Sequence, residues 1–237
     1  MNEKGLVIII AFNNAHLTKH AVRTALSQDM PVDVLVVNNH SLDGTADWLK
    51  TKQVATVTFS SQISLAACWN RALKLAWIVG FEHALVLNND VEVRPDTYRL
   101  LLAHGGPFVT CVSVDDPARL GAAGDRTIEE LRPKAREHPD YSAFLIRKQV
   151  MEKVGWFNEA YLGGYGEDAE FHVRCHRKGV KSVCIDVPFL HHGAATVKSA
   201  SPGEAARIRR NADTNRERFK REYGAEIGSK EYYELFE

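Results

Sequence analysis

The feature that most constrains this chain is an apolar run that stops abruptly in polar residues: Ala84-Leu85-Val86-Leu87, then Asn88-Asn89-Asp90, then Val91-Glu92-Val93. Unbroken apolar character, rather than alternation, is what a strand covered on both faces needs, and such strands belong to open α/β sheets. Ligands of those sheets bind in the crevice beyond the carboxyl ends of the strands, so the polar triplet should emerge there with Asp90 facing the crevice. A carboxylate in that place suits a hard divalent cation, which prefers oxygen ligands and bridges readily to phosphates. Asn and Asp also form turns on their own account, so the triplet alone does not separate a metal corner from an ordinary turn.

The pattern recurs along the chain. The apolar run 6–12 ends in Asn13-Asn14, and the run 32–37 ends in Asn38-Asn39-His40-Ser41-Leu42-Asp43-Gly44-Thr45, where Asp43-Gly44 marks a tight turn. A third strand is expected at 54–59. Between these runs apolar residues take helical spacing: Ala21, Val22, Ala25 and Leu26 within 18–28, Trp48 and Leu49 after the tight turn, and Leu65, Trp69, Leu73, Ala76 and Trp77 within 65–79. Such alternation predicts an α/β fold, a mostly parallel central sheet with helices on both faces and right-handed crossovers. The polar ends at Asn13, Asn38 and Asp90 then share the crevice where a nucleotide lies. No GxGxxG or Walker pattern occurs, so a glycine-rich loop does not hold the phosphates and a cation must.

Downstream, a helix is expected from Pro95-Asp96 through Leu102, strands at 108–114, 142–146 and 183–187, and a helix at 148–154 stopped by Gly155. The charged stretch 115–140 reads as a surface excursion with a short helix at 128–132. These elements divide the chain into a main domain over 1–200, with a nucleotide-binding half at 1–94 and an acceptor and catalytic half at 95–200, and a helical tail over 201–237. With 237 residues and 45% hydrophobic content, the chain can bury a full core. Lys+Arg 30 against Asp+Glu 30 provides no global field towards nucleic acid or anionic lipid. Cys68, Cys111, Cys175 and Cys184 form no CxxC pair, which argues for reduced thiols and a cytoplasmic location. No segment has the length of a membrane span or a signal-peptide layout.

A second chemical focus is Tyr161-Leu162-Gly163-Gly164-Tyr165-Gly166-Glu167-Asp168. Its carboxylates fall in the first turn of the next helix, where the dipole favours negative charge. That placement alone describes a capped helix. The glycines before it allow close approach by a ligand, and aromatic rings suit the apolar face of a sugar or base. His191-His192 at a strand end are either metal ligands or hydrogen-bonded structural residues. The basic helical stretch 202–223 is either a solvated face, a cover for the site, or a surface for an anionic acceptor.

Five motifs occur in an order that resembles glycosyltransferase family 2: Asn38-Asn39-His40-Ser41-Leu42-Asp43-Gly44-Thr45, Leu87-Asn88-Asn89-Asp90-Val91, Val154-Gly155-Trp156-Phe157-Asn158-Glu159, Gly166-Glu167-Asp168 and His191-His192-Gly193-Ala194-Ala195-Thr196. The resemblance implies an A-type glycosyltransferase fold and inverting transfer of a sugar from a nucleotide diphosphate donor. It places Ala11, Phe12, Asn13, Asn38, Asn70, Asn88 and Asn89 on the donor side, and Asp90 at the last, metal-binding position of the DxD motif. His191 aligns as the second ligand to Mn²⁺ or Mg²⁺, with His192 beside it leaving the choice open. Asp168 matches the catalytic base of the ED motif, and Trp156, Tyr165 and Glu167 shape the acceptor side.

Several positions depart from the family pattern. Asn88 replaces the first DxD aspartate, Asn38 a base-reading aspartate, and Asn158 a common aspartate, while Gln62 and Ser64 stand where Asn and Gly are frequent. An asparagine still pairs with uracil through one donor and one acceptor, so a UDP-sugar is the favoured donor and a dTDP-sugar the second. The acceptor is a hydroxyl on a saccharide or glycoconjugate, such as a glycolipid, with a hydroxylated base in DNA as the alternative. A nucleotidyltransferase would want a glycine- and lysine-rich loop where Phe12-Asn13-Asn14-Ala15 stands. A non-catalytic nucleotide-sugar binding module is the reading of another class, disfavoured by the presence of both Asp90 and Asp168.

Overall fold

The computed structural model describes residues 4–121, 133–134, 141–193 and 195–237. Strands β1 (Gly5–Ala11), β2 (Val32–Asn38), β3 (Ala55–Thr58) and β4 (His83–Asn88) run parallel in the order β3-β2-β1-β4. They are joined by helices α1 (Ala15–Leu26), α2 (Thr45–Lys50) and α3 (Leu65–Ile78). The second half contributes β5 (Val91–Val93), α4 (Thr97–Ala103), β6 (Phe108–Val114), α5 (Pro117–Leu120), β7 (Pro133–Lys134), β8 (Ala143–Arg147), α6 (Lys148–Val154), α7 (Glu167–Arg177) and β9 (Ser182–His191). Beyond these lie α8 (Ala195–Ser199), α9 (Pro202–Tyr223) and α10 (Lys230–Glu234).

Beyond β4 the sheet becomes mixed. Strand β8 inserts antiparallel between β4 and β6, β6 and β9 are parallel, and the short β5 and β7 each pair antiparallel with β9. The expected α/β layout therefore holds, with its parallel run confined to β3-β2-β1-β4 and to the β6-β9 pair. Most of the excursion 115–140, including the helix expected at 128–132, lies outside the described residues.

All seven residues of β1 are buried, and their alternation builds both halves of the core. Leu6, Ile8 and Ile10 join Trp69 and Leu73 of α3 and Phe144 of β8 on one face, while Val7, Ile9 and Ala11 join Val22 of α1 and Leu101 of α4 on the other. Each fully buried aliphatic side chain contributes about 1.5–3 kcal/mol. Gly5 opens the strand under Tyr98, where a Cβ would come within 2.5–2.9 Å of the ring. The Tyr98 hydroxyl accepts from the Leu6 N–H at 3.0 Å, so any larger residue at position 5 would displace both. Beyond β5, Arg94 and Asp96, each 2% exposed, pair through two hydrogen bonds of 2.9 and 2.8 Å.

The C-terminal helices do not hang free. A separate small core joins Tyr161, Ala169 and Val173 to Phe219, Ala225 and Tyr232, which fastens α9 and the segment after it onto α7. The four cysteines are buried, and none is joined in a disulfide. Among the described residues no helix is long and apolar enough to cross a membrane.

Candidate active site

At the carboxyl ends of β1 and β2 the chain turns through unusual backbone. Asn13, Asn14 and His40 have φ of 53°, 55° and 62°, a left-handed conformation that asparagine tolerates better than most side chains. The two turns are stitched together: the Asn13 N–H donates to Ser41 Oγ at 2.9 Å, the Leu42 N–H to Asn13 Oδ1 at 2.9 Å, and the Ala15 N–H to Asp43 Oδ2 at 2.6 Å. Asp43 is thereby the acidic group at the start of α1. Burial pushes its carboxyl up, but the Thr45 hydroxyl and the N–H groups of Ala15 and Thr45 outweigh this and hold it below its ordinary value.

These turns line a cleft of about 730 Å³ with Phe12, Asn13 and His16 on one side, His40 and Leu42 on another, and Arg207 and Arg210 of α9 on a third. Phe12 and Asn13 are thus the residues of the expected donor set that meet open space here. Ala11 is buried at the end of β1. Asn89 donates to the Asn13 carbonyl at 2.8 Å and to Thr18 Oγ1 at 2.9 Å, bracing the first turn from beneath. Asn38, fully buried, accepts from the Ser41 N–H at 3.1 Å. Its Nδ2, and Asn88 Oδ1, are buried without a hydrogen-bond partner among the described residues. Asn70 lies elsewhere: it is 1% exposed, and its amide pairs with the backbone of Phe157.

Register places the metal candidates. Strands β5 and β9 align Val91 with His191, which brings His191 Nε2 to 3.4 Å from Asp90 Oδ2, with side chains 24% and 14% exposed. His192 is engaged differently, its Nε2 at 2.9 Å from Glu92 Oε1 and its N–H donating to the Asp90 carbonyl at 2.9 Å. Glu92 also meets His20 and Arg23 of α1 at 3.4 Å each. Burial raises the Glu92 carboxyl, but the His192 hydrogen bond and the charges of His20 and His192 hold it below its ordinary value. Glu92 is a structural partner that sequence reading missed, because its companions come from separate elements. Among the described residues no group of three or more His, Cys, Asp or Glu side chains converges to hold an ion.

The second cleft, about 370 Å³, opens at the start of α7. Gly166, with φ of 87°, turns the chain into the helix and presents Glu167 and Asp168. Asp168 and Tyr165 line this cleft beside Ile227, Tyr232 and Tyr233, so the segment after α9, which carried no sequence signal for a site, completes its wall. Glu167 is 3% exposed and its Oε2 has no hydrogen-bond partner among the described residues. Burial, and then the adjacent Asp168, push its carboxyl well above the ordinary value, so Glu167 holds its proton to higher pH than an ordinary carboxyl does. Trp156 lies off this cleft, its ring under the Lys74 ammonium at 4.8 Å and its carbonyl accepting from Arg174. The glycine-rich loop before α7 is held in place: the Leu65 N–H donates to the Gly163 carbonyl at 2.7 Å, and Asn215 of α9 donates to the carbonyls of Leu162 and Tyr165 at 2.8 Å.

A parallel nucleotide-type half, an antiparallel insertion and two clefts define the class: the fold is that of A-type glycosyltransferases. Solved structures agree at the level of fold. A 1–349 fragment of S. aureus TarS in complex with UDP-GlcNAc matches with a TM-score of 0.61 at 15% identity, over 84% of this chain and 61% of that one. The mannosyltransferase PcManGT from Pyrobaculum calidifontis, in complex with GDP-Man and Mn²⁺, matches at 0.58 and 19% over 87% and 60%. GalNAc-T7 with UDP, GalNAc and Mn²⁺ matches at 0.61 and 12% over 79% and 43%. This chain therefore spans about three-fifths of the TarS fragment. The family profile Glycosyl transferase family 2 matches residues 6–114, from β1 through β6. That match ends before the loop and helix that carry Asp168. A search of curated protein sequences returns no match.

Proposed function

We propose that this chain is an inverting glycosyltransferase that moves a sugar from a nucleotide diphosphate sugar, with UDP favoured over dTDP, to a hydroxyl of a saccharide or glycoconjugate. The observation that carries this reading is a pair of clefts, one at the carboxyl ends of β1 and β2 lined by Phe12 and Asn13, the other at the start of α7 lined by Asp168. The solved structures of similar fold support it, since they are complexes with UDP-GlcNAc, GDP-Man and UDP. On this reading residues 1–94 form the donor half and 95–200 the catalytic half. The tail 201–237 lends walls to both clefts.

In this mechanism Asp168 accepts the proton of the acceptor hydroxyl as its oxygen attacks the anomeric carbon, while the bond from that carbon to the diphosphate oxygen breaks on the opposite face. Glu167 and Asp168 both line the cleft, and the buried Glu167 holds its proton more tightly than an ordinary carboxyl, an arrangement in which adjacent acids take different roles. Tyr165 and Tyr233 offer aromatic faces to the acceptor sugar. Asp90 and His191 would hold a Mn²⁺ or Mg²⁺ ion: an oxygen and a nitrogen donor lie 3.4 Å apart and are partly exposed, a set that suits a hard cation shared with a phosphorylated ligand. A bound ion there supplies Lewis-acid neutralisation of the departing diphosphate. A thermal-shift screen of UDP-, dTDP- and GDP-sugars with Mn²⁺ tests the reading. One donor should raise the melting temperature and release its sugar to an added saccharide, whereas no response to any of them would refute it.

A further inference from the structure

We infer that Arg207 and Arg210 of α9 grip the diphosphate of the donor. The inference rests on the larger cleft being the donor site. Helix α9 begins at Ser201, whose hydroxyl accepts from the Glu204 N–H, and Pro202 occupies its first turn. Residues three and four apart lie on one helical face, so Gly203, Arg207 and Arg210 point the same way, and all three line the cleft together with Phe12 and His40. The helix is not free to swing. Asn215 holds the carbonyls of Leu162 and Tyr165, and Phe219 is fully buried in the small core.

The charges on this face lack strong protein partners. Arg210 has no ion pair or hydrogen bond among the described residues, and the ion pair of Arg207 is a 3.7 Å contact with Glu204, an exposed i,i+3 pair of the kind that contributes little. Further along the same helix, Arg216, Arg218 and Lys220 are matched by Asp213, Glu222 and Glu226. Of the acids at the cleft, Asp43 is engaged by Ala15 and Thr45. A guanidinium offers planar, paired donors that fit phosphate oxygens, and it keeps its charge at every working pH. The chain has no glycine-rich phosphate loop, and its DxD motif retains one carboxylate, so more of the diphosphate charge falls to side chains. Arginines that line the same cleft as Phe12 and Asn13 are placed to take it. A merely solvated helix face would give the same exposure but no preference for a phosphorylated ligand.

The experiment is calorimetric titration, in Mn²⁺, of whichever of UDP, dTDP and GDP binds best, and of the matching nucleoside, into the wild type, Arg210→Ala and the Arg207→Ala/Arg210→Ala pair. Losing charge-assisted hydrogen bonds should weaken diphosphate binding about tenfold or more in the double variant. It should also flatten the salt dependence of binding, and leave nucleoside affinity and the ligand-free melting temperature unchanged. Diphosphate affinity unchanged in the double variant, with Phe12→Ala weakening both ligands, would overturn the inference and leave the donor site standing. No nucleoside diphosphate binding to the wild type would overturn the donor site and the inference with it.

Discussion

Asn70→Ala separates a residue that holds the fold from one that holds the donor. Family resemblance assigns Asn70 to the donor side, yet its Nδ2 donates to the Phe157 carbonyl and to Glu159 Oε1, and its Oδ1 accepts from the Phe157 N–H, all at 2.9 Å. Phe157 in turn stacks on Phe171 with ring centroids 4.0 Å apart and meets Trp69 at 4.8 Å. Alanine would remove three hydrogen bonds, each about 1 kcal/mol net, and strand a buried N–H and C=O at about 1–3 kcal/mol apiece. Because these terms overlap, a net loss of about 3–5 kcal/mol is expected. For a chain of this size that lowers the melting temperature by roughly 6–20 °C. Urea unfolding should show a lower midpoint with an unchanged slope, the mark of lost stability without a change in the surface exposed. Donor affinity, measured where the variant is still folded, should match the wild type. A loss below about 1 kcal/mol together with loss of donor binding would refute this account, because the asparagine would then be acting on the ligand.

Where local chemistry fixed an element, the sequence was a close guide. Helix α9 starts at Pro202 behind the Ser201 cap and ends at Tyr223 before left-handed Gly224, and α6 ends at Val154 before Gly155, as the proline and glycine signals predict. Strand β6, apolar apart from Thr110 and Ser113, was equally plain. What eluded local reading was set by distant partners. Val91–Val93 is too short to show a period and becomes a strand only by pairing with β9, and the mixed sense of the sheet follows from β8 entering between β4 and β6. The site divides in the same way. Sequence placed Asp90 and a histidine at strand ends, but the register of β5 on β9 is what sets His191 beside Asp90 and leaves His192 with Glu92. An asparagine that braces a turn and one that meets a ligand also have the same neighbours in sequence. Only the packing distinguishes Asn89, held by the Asn13 carbonyl and Thr18, from Asn13, which lines the cleft.

Asp168→Asn should keep nucleotide affinity within about twofold and lower the rate of transfer by about 10²-fold or more; comparable turnover with saturating acceptor would remove Asp168 from the proton transfer. Asp43→Asn bears on acid stability. The Asp43 carboxyl lies below its ordinary value in the fold, so its contribution is present above the ordinary carboxylate range and is lost as pH falls through the folded value. The urea midpoint of the variant should therefore decline less steeply than that of the wild type below about pH 4, and identical acid limbs would count against the capping role. Glu167→Gln gives the opposite sign. In the unfolded chain this carboxyl releases its proton near pH ~4.3, whereas in the fold burial and Asp168 keep the proton on to higher pH. The native state then binds more protons than the unfolded state, so stability is greatest below the ordinary value and falls as pH rises towards the folded one. Glutamine, neutral throughout and of nearly the same shape, removes that dependence. Midpoints measured upward from about pH 4 should agree at the acid end and separate in favour of Glu167→Gln as pH rises. Parallel curves across that window would mean that Glu167 is already ionised in the fold, and the division of labour between Glu167 and Asp168 would have to be abandoned.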